Sequence, residues 1–314
     1  MPKSILLTGS TGFVGTNLVK SLTLKSDYIV KSVVRRAVNK GEELSFEVGE
    51  INASTDFELP LKNTTVVVHC AARAHVASHA TVDSLAQFRA VNTEGTLNLA
   101  RQAAEAGVRR FVFVSSIGVN GTTTKDKPFT SHGKVQPHNA YAQSKYEAEL
   151  GLKKIAEETG LEVVIVRPTL VYGPNAPGNF GMLTKLVSKL PVLPFGLANN
   201  RRDFISVQNL ADLLITCATH PEAAGNTFLA SDGETVSIKD FTNAIAKGLD
   251  KKIFQLPVPV TLMRLAGKLT GKTAMIEQLY GNLEVDSSNI KEVLGWTPPY
   301  TMEQSMTLLK HTDK

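Results

Sequence analysis

The stretch Gly9-Ser10-Thr11-Gly12-Phe13-Val14-Gly15 constrains this chain more than any other. An apolar run over residues 4–8 leads into it and an amphipathic segment over 16–24 leads out. The glycines therefore sit at a strand-to-helix junction, where backbone N–H groups at a helix start can hold a pyrophosphate. Gly9 permits the tight turn, Gly12 lets a phosphate approach the backbone, and Gly15 lets helix and strand pack closely. Few folds place such a turn after the first strand, and those that do are built on a parallel sheet.

The rest of the first half agrees. Further apolar runs at 28–34, 44–48, 65–69, 110–115 and 163–167 read as strands. Helical patterns at 83–107 and 139–159 alternate with them. In the first of these helices Leu85, Phe88, Val91, Leu97 and Leu99 face the core and Gly107 closes it. This alternation predicts an α/β, Rossmann-type doubly wound parallel sheet over residues 1–170. Beyond 170 the texture changes: Gly173-Pro174, Pro177-Gly178, Pro191 and Pro194 mark loops. Shorter helices at 209–219, 237–249 and 259–269 and a strand at 227–230 suggest a smaller mixed α/β substrate-binding cap over 171–314. Some of its segments return to the sheet. The 259–269 helix is expected to be an ordinary packing helix, its charged face being thin for a membrane-surface element.

Composition narrows the function. The chain has 314 residues and a net charge of +5, with an isoelectric point near 9.1. That suits an anionic small molecule, and no Lys/Arg run or basic-aromatic interleaving points to nucleic acid. Cys70 and Cys217 lie in apolar surroundings at no metal-ligand spacing, so reduced thiols and no metal are expected. Met1-Pro2-Lys3 runs straight into a strand, and no apolar run reaches the ~18–20 residues of a membrane span. A cytoplasmic protein is the expectation.

Two positions suggest chemistry. The second strand ends in Arg35-Arg36, where an NAD-preferring unit usually carries Asp or Glu for the ribose 2′-hydroxyl. A guanidinium suits a 2′-phosphate, which favours NADP(H) over NAD(H); an arginine pair merely solvating the strand end is the other reading. In the 139–159 helix, Tyr141 and Lys145 are four residues apart and share a face. A nearby ammonium lowers a phenol's pKa toward that of a general acid or base at a sugar hydroxyl or carbonyl. Tyr-x-x-x-Lys by itself also occurs in many solvated helices. Asn92, polar beside an apolar stripe, is either a satisfied buried amide or a site residue.

Taken together these motifs resemble the extended class of short-chain dehydrogenase/reductases, and within it the nucleotide-sugar epimerase, dehydratase and reductase group. Thr8 to Gly15 matches TGxxGxxG, and His69-Cys70-Ala71-Ala72 is similar to the segment under the nicotinamide ribose. Asn92 to Leu99 matches NxxGTxNL, Ser115-Ser116 the catalytic serine strand, and Tyr141 with Lys145 the catalytic pair. Arg202 to Val207 resembles the cap's RDFxxV, and Leu294-Gly295-Trp296 the LGW near the end.

The resemblance implies Tyr141 as proton carrier and Lys145 as ribose ligand and tuner of Tyr141. Ser116, rather than Ser115, would bond the reacting oxygen. Cofactor contacts would come from Gly9, Thr11, Gly12, Phe13, Val14 and Gly15 at the turn. Arg35, Glu50 and Ile51 would lie about the adenosine, and Ala71, Ala72, Asn92 and Pro168 nearer the nicotinamide. Arg73, His75, Asn179 and Arg202 would meet the substrate, Arg202 at its pyrophosphate.

Some positions depart from the group. Glu50 stands in place of an aspartate, Leu170 in place of an asparagine, and Gly281 to Asp286 in place of RRPGD. The implied function is a UDP-linked 4-keto-sugar reductase using NADPH, of the UDP-4-keto-6-deoxy-N-acetylhexosamine type. The alternatives are a UDP-hexose or UDP-N-acetylhexosamine 4-epimerase with retained NAD, and a catalytically silent NADP-binding regulator. Ile117-Gly118 after Ser116 disfavours dehydration, and the class commonly forms homodimers through the helices carrying Asn92 and Tyr141.

Overall fold

The computed structural model describes residues 3–36, 44–74 and 84–311. Its strands in chain order are β1 (Lys3–Thr8), β2 (Tyr28–Val34), β3 (Leu44–Glu47), β4 (Val66–His69), β5 (Arg110–Val114) and β6 (Glu162–Pro168). Then come β7 (Leu170–Tyr172), β8 (Val192–Leu193), β9 (Arg202–Ser206), β10 (Thr227–Ala230), β11 (Thr235–Val236) and β12 (Phe254–Gln255). The helices are α1 (Phe13–Thr23), α2 (Glu58–Leu61), α3 (Ser84–Arg89), α4 (Thr96–Glu105), α5 (Ala140–Thr159) and α6 (Gly178–Lys189). They continue with α7 (Val207–Thr219), α8 (Ile238–Gly248), α9 (Val260–Leu269), α10 (Thr273–Tyr280), α11 (Ser288–Leu294) and α12 (Met302–Thr307).

Seven strands form one parallel sheet in the order β10-β6-β5-β4-β1-β2-β3. The chain starts mid-sheet at β1, runs to the β3 edge, and returns to β4 on the other side. The carboxyl ends of β1 and β4 thus flank a topological switch point, the usual ligand crevice of such sheets.

Alternation along the strands builds the two covered faces. Ile5, Leu7, Val66, Val68, Val112, Val114, Val164 and Val166 join one core with Leu18 and Leu22 of α1 and Leu210, Leu213 and Leu214 of α7. Leu6, Val67, Phe111, Phe113, Val163 and Ile165 join the other with Leu99 and Ala103 of α4 and Ala148, Leu152 and Ile155 of α5. A third core fills the cap, where Tyr172, Phe180, Phe204 and Phe241 cluster and the last two rings stack at 3.8 Å. The cap is hung on a β11-β9-β7 sheet and a β12-β8 ladder.

One expectation is corrected. The helix over 83–107 carries a π-helical stretch, Ala90–Gly95, between α3 and α4. The wider turn lets Asn92 point inward to the loop after β4, and such insertions gather at functional sites. The 259–269 helix forms as α9 and packs through one face as expected, although of its ten residues only Gly267 is fully buried. Val260 and Met263 touch the cap core while Leu262, Leu265 and Leu269 face outward.

Candidate active site

The glycine turn is shaped by close approach. Gly9 lies at φ +72°, and a Cβ there would come within 2.7 Å of the Ala71 nitrogen. A Cβ on Gly15 would collide with the Gly9 carbonyl. α1 begins three residues earlier than its polar pattern suggests, because Gly12 is its N-cap and uses no side chain. Its first turn holds no acidic residue. The amides and the positive end of the helix dipole therefore face the exposed Thr11 and Gly12, open to an anion. Phe13 and Val14 are half-buried beside them.

Beneath the turn a hydrogen-bond chain ties β1, β4 and α4. Thr96 Oγ1 donates to the Asn92 carbonyl (2.7 Å), so His69 Nε2 must donate to Thr96 (2.9 Å). His69 Nδ1 is then the acceptor from Thr8 Oγ1 (2.7 Å), which itself accepts from the Ala71 amide (3.2 Å). Burial, helped by the Lys145 charge, pushes the His69 pKa down to about 3, consistent with that neutral tautomer. Asn92 is fully buried: Oδ1 accepts from the Arg73 amide (2.8 Å), and Nδ2 donates to the Arg73 carbonyl and Ser144 Oγ, both at 3.0 Å. It is a satisfied amide that fastens the loop carrying Ala71 and Ala72 to α5.

α5 starts where expected. The Asn139 side chain accepts from the Ala142 amide, and Gly160 in the left-handed region ends the helix. Tyr141 stands half-buried in the first turn, edge-on to Phe88 with centroids 6.0 Å apart. Lys145 is buried, donates to the Val114 carbonyl (2.8 Å), and lies 4.4 Å over the Phe113 ring. Desolvation lowers its pKa to about 8, opposed by Cys70 and Glu149. Tyr141 rises to about 12 through burial. The expected lowering of the phenol by the lysine is thus corrected: Nζ is turned to a carbonyl beneath, and desolvation decides.

The two serines part company. Ser115 Oγ donates to Glu149 Oε1 (2.5 Å), and Arg167 grips Glu149 with Nε (2.9 Å) and Nη2 (2.5 Å). Ser116, half-buried, caps a short turn by accepting from the Gly118 amide (3.1 Å), which leaves its own proton for another acceptor. Successive strand residues point to opposite faces, so only one of the pair can face the crevice.

Other expected residues scatter. Arg35 and Arg36 are exposed at the end of β2, and Pro168 is buried at the end of β6. Arg73 reaches Glu50 (2.5 Å) and Gln87 (3.3 Å), joining a residue assigned to substrate with one assigned to cofactor. Ile51 is buried against Gly95, where a Cβ would come within 2.8 Å of it. His75 lies outside the described residues.

In the cap, Asn179 is exposed in the first turn of α6. Arg202 is buried, and its Nη1 donates to the Gly281 carbonyl (2.9 Å). Burial lowers its pKa to about 10, with Asp203 opposing. Asp203 itself accepts from Thr235 Oγ1 and the Val285 amide. Among the described residues no carboxylate forms an ion pair with Arg202. Close by, Asn199, Asn200, Val260, Arg264, Tyr280 and Asn282 line a cavity of about 370 Å³. Sequence reasoning missed this wall, although Asn199-Asn200 directly precede the arginine pair and Asn282 lies in the segment that departs from RRPGD.

Residues 5–230 match the NAD dependent epimerase/dehydratase family. The chain belongs to that family. It is an enzyme of the extended short-chain dehydrogenase/reductase type, with a nicotinamide dinucleotide as the family's cofactor and nucleotide sugars as its substrate class. A UDP-glucose 4-epimerase of Vibrio cholerae is 57% identical over 306 residues, 97% of this chain and 93% of that protein. Two solved structures share the fold. One is a UDP-glucose 4-epimerase of Thermotoga maritima with UDP-glucose (TM-score 0.75, 23% identity, 98% of each chain). The other is a UDP-N-acetylglucosamine 4-epimerase of Methanobrevibacter ruminantium with UDP-N-acetylmuramic acid (TM-score 0.76, 22% identity, 98% of each chain). Among the described residues no helix is long and apolar enough to cross a membrane.

Proposed function

We propose that this enzyme is a UDP-hexose 4-epimerase that keeps NAD bound through its cycle. The observation that carries the reading is the 57% identity, over nearly the whole of both chains, to a UDP-glucose 4-epimerase. It outweighs the reductase expected from sequence, which rests on Arg35. The turn fits a dinucleotide: Gly9 and Gly15 leave no room for a Cβ against Ala71 and the Gly9 carbonyl, so the backbone itself can approach a phosphate, and the start of α1 carries no side-chain cap. Gly9, Thr11, Gly12, Phe13, Val14 and Gly15 would hold the pyrophosphate, with Glu50 and Ile51 toward the adenosine and Ala71, Ala72 and Pro168 toward the nicotinamide.

When bound, NAD would supply the hydride acceptor, and then the hydride donor, for C4 of the sugar. Tyr141 removes the proton from the C4 hydroxyl and gives it back, acting as general base and then general acid. A phenol raised to about 12 needs a cation near it to act as base. Lys145, held below the phenol in the same helix, supplies that charge once its ammonium turns from the Val114 carbonyl. Ser116 hydrogen-bonds the C4 oxygen with the proton it has free. Arg202 pairs with the UDP diphosphate, the anion its buried guanidinium lacks in the protein itself. The implied setting is a cytoplasmic homodimer.

The test is incubation with UDP-glucose and no added cofactor, following C4 configuration by NMR. Catalytic appearance of the galacto form is expected. NADPH consumption in step with a 4-keto substrate, without interconversion, would return the assignment to the reductase. That second reading keeps one specific support, Arg35 exposed at the position of the ribose-reading acid. Titration separates them: the epimerase reading expects NAD to bind at least as tightly as NADP.

A further inference from the structure

The cap presents an apolar face that the reaction does not use. On α9, Val260, Met263 and Gly267 turn inward, while Leu262, Leu265 and Leu269 recur at the same spacing on the opposite side. That outward side should be polar on a helix that meets only water. Instead Leu269 is 79% exposed and the other two leucines more than half. The neighbouring ladder repeats the pattern. Phe254 of β12 sits in register with Val192 of β8, and both are exposed, Phe254 at 61%. Four residues, Leu256 to Pro259, join ladder to helix, no more than about 14 Å of chain. Exposed apolar surface of this extent marks a contact site.

Charge says which contact. From Lys251 to Ile276 the sequence contains no Asp or Glu, and none from Val163 to Arg202. Exposed cations accompany these elements: Lys268 and Lys272 in and just after α9, Lys251 and Lys252 before β12, and Lys189 at the end of α6. A second copy of the chain would bring these lysines against one another. A fluid, negatively charged surface satisfies both the leucines and the lysines.

We propose that the outward face of α9 with the β8–β12 ladder docks on an anionic lipid bilayer, as a peripheral contact and not a span. The leucines enter the headgroup boundary and the lysines meet the phosphates. Because Val260 and Arg264 of the same helix line the 370 Å³ cavity, the docked face is also the outer wall of that cavity. The proposal holds for an epimerase or a reductase alike.

The test is co-sedimentation of the full chain with vesicles of phosphatidylglycerol and phosphatidylcholine, and with phosphatidylcholine alone. Binding to the anionic vesicles at low salt is expected, weakened by 0.5 M salt and absent from the neutral ones. Leu265→Glu with Leu269→Glu should lower partitioning more than tenfold and leave catalytic activity and the urea midpoint unchanged, since both side chains already face solvent. Lys268→Gln with Lys272→Gln should cost about fivefold per lysine. No sedimentation with anionic vesicles, or equal sedimentation of the leucine variant, would overturn the proposal. So would light scattering that shows a dimer dispersed by the leucine pair, which would assign the face to a second copy.

Discussion

Arg167 in the parallel sheet and Arg202 in the cap are both more than nine-tenths buried, yet they are satisfied differently. Arg167 is locked into Glu149 by two hydrogen bonds and gives a third to Asn120 Oδ1 (2.9 Å), so its charge is neutralised within the protein. Arg202 has a carbonyl for one nitrogen and no carboxylate. In the sheet region His69, Asn92 and Ser115 likewise have their polar atoms matched inside the fold. The cap leaves a buried cation unmatched. A buried charge is costly unless it is paired, which is the physical ground for the anion proposed at Arg202.

The largest effect should come from Tyr141, the proposed proton carrier. Tyr141→Phe keeps the ring contact with Phe88 and removes only the hydroxyl. Turnover should fall by about 10²–10⁴-fold with dinucleotide binding retained, read by single-turnover kinetics and cofactor titration. A variant with more than a tenth of wild-type turnover would place the proton carrier elsewhere.

The two arginines can then be set directly against each other. Arg167→Met strands the Glu149 carboxylate and should cost about 3–5 kcal/mol in urea unfolding. Arg202→Met strands no carboxylate, and the Gly281 carbonyl keeps a donor in Asn200 (3.3 Å), so the unfolding midpoint should change little. It should raise the KM for the UDP-sugar roughly 10- to 150-fold, the worth of a lost bond to a charged group of about 1.5–3 kcal/mol. If both variants lost stability equally, Arg202 would be structural and the contrast would fail.

The last effect is a slope. His69 is held near pKa 3 when folded and returns to about 6.5 when unfolded. Between those values the unfolded chain takes up a proton that the folded chain refuses. Stability should therefore fall as pH drops from 6.5 toward 3, by up to about 1.4 kcal/mol per unit for this one group. Replacing His69 by Gln should flatten the urea-midpoint profile by that amount in that window and leave it unchanged above pH 7.

The sheet was legible in sequence because its strands are buried on both faces and read as unbroken apolar runs, such as residues 111–114. The glycine turn was legible because close backbone approach admits no other residue. The cap was harder: β7, β8 and β9 are two to five residues long and acquire a pattern only from their neighbours. α9 shows why. Its two apolar stripes, Val260–Met263–Gly267 and Leu262–Leu265–Leu269, are indistinguishable by periodicity, and only packing decides which faces in. The direction of Lys145 Nζ was likewise invisible, since the Val114 carbonyl that holds it is 31 positions earlier in the chain.

The place of β10 has a consequence for how the protein is made. The sheet's last strand is synthesised only after β7, α6, β9 and α7 have been added, so β6 waits with its outer edge bare. That edge is Glu162–Pro168, five of whose seven residues are Val, Ile or Pro. A nascent chain halted before residue 227 carries the complete nucleotide cradle together with an open, adhesive strand. The cap is thus also the interval during which a chaperone, or chance, decides what the sheet's edge meets first.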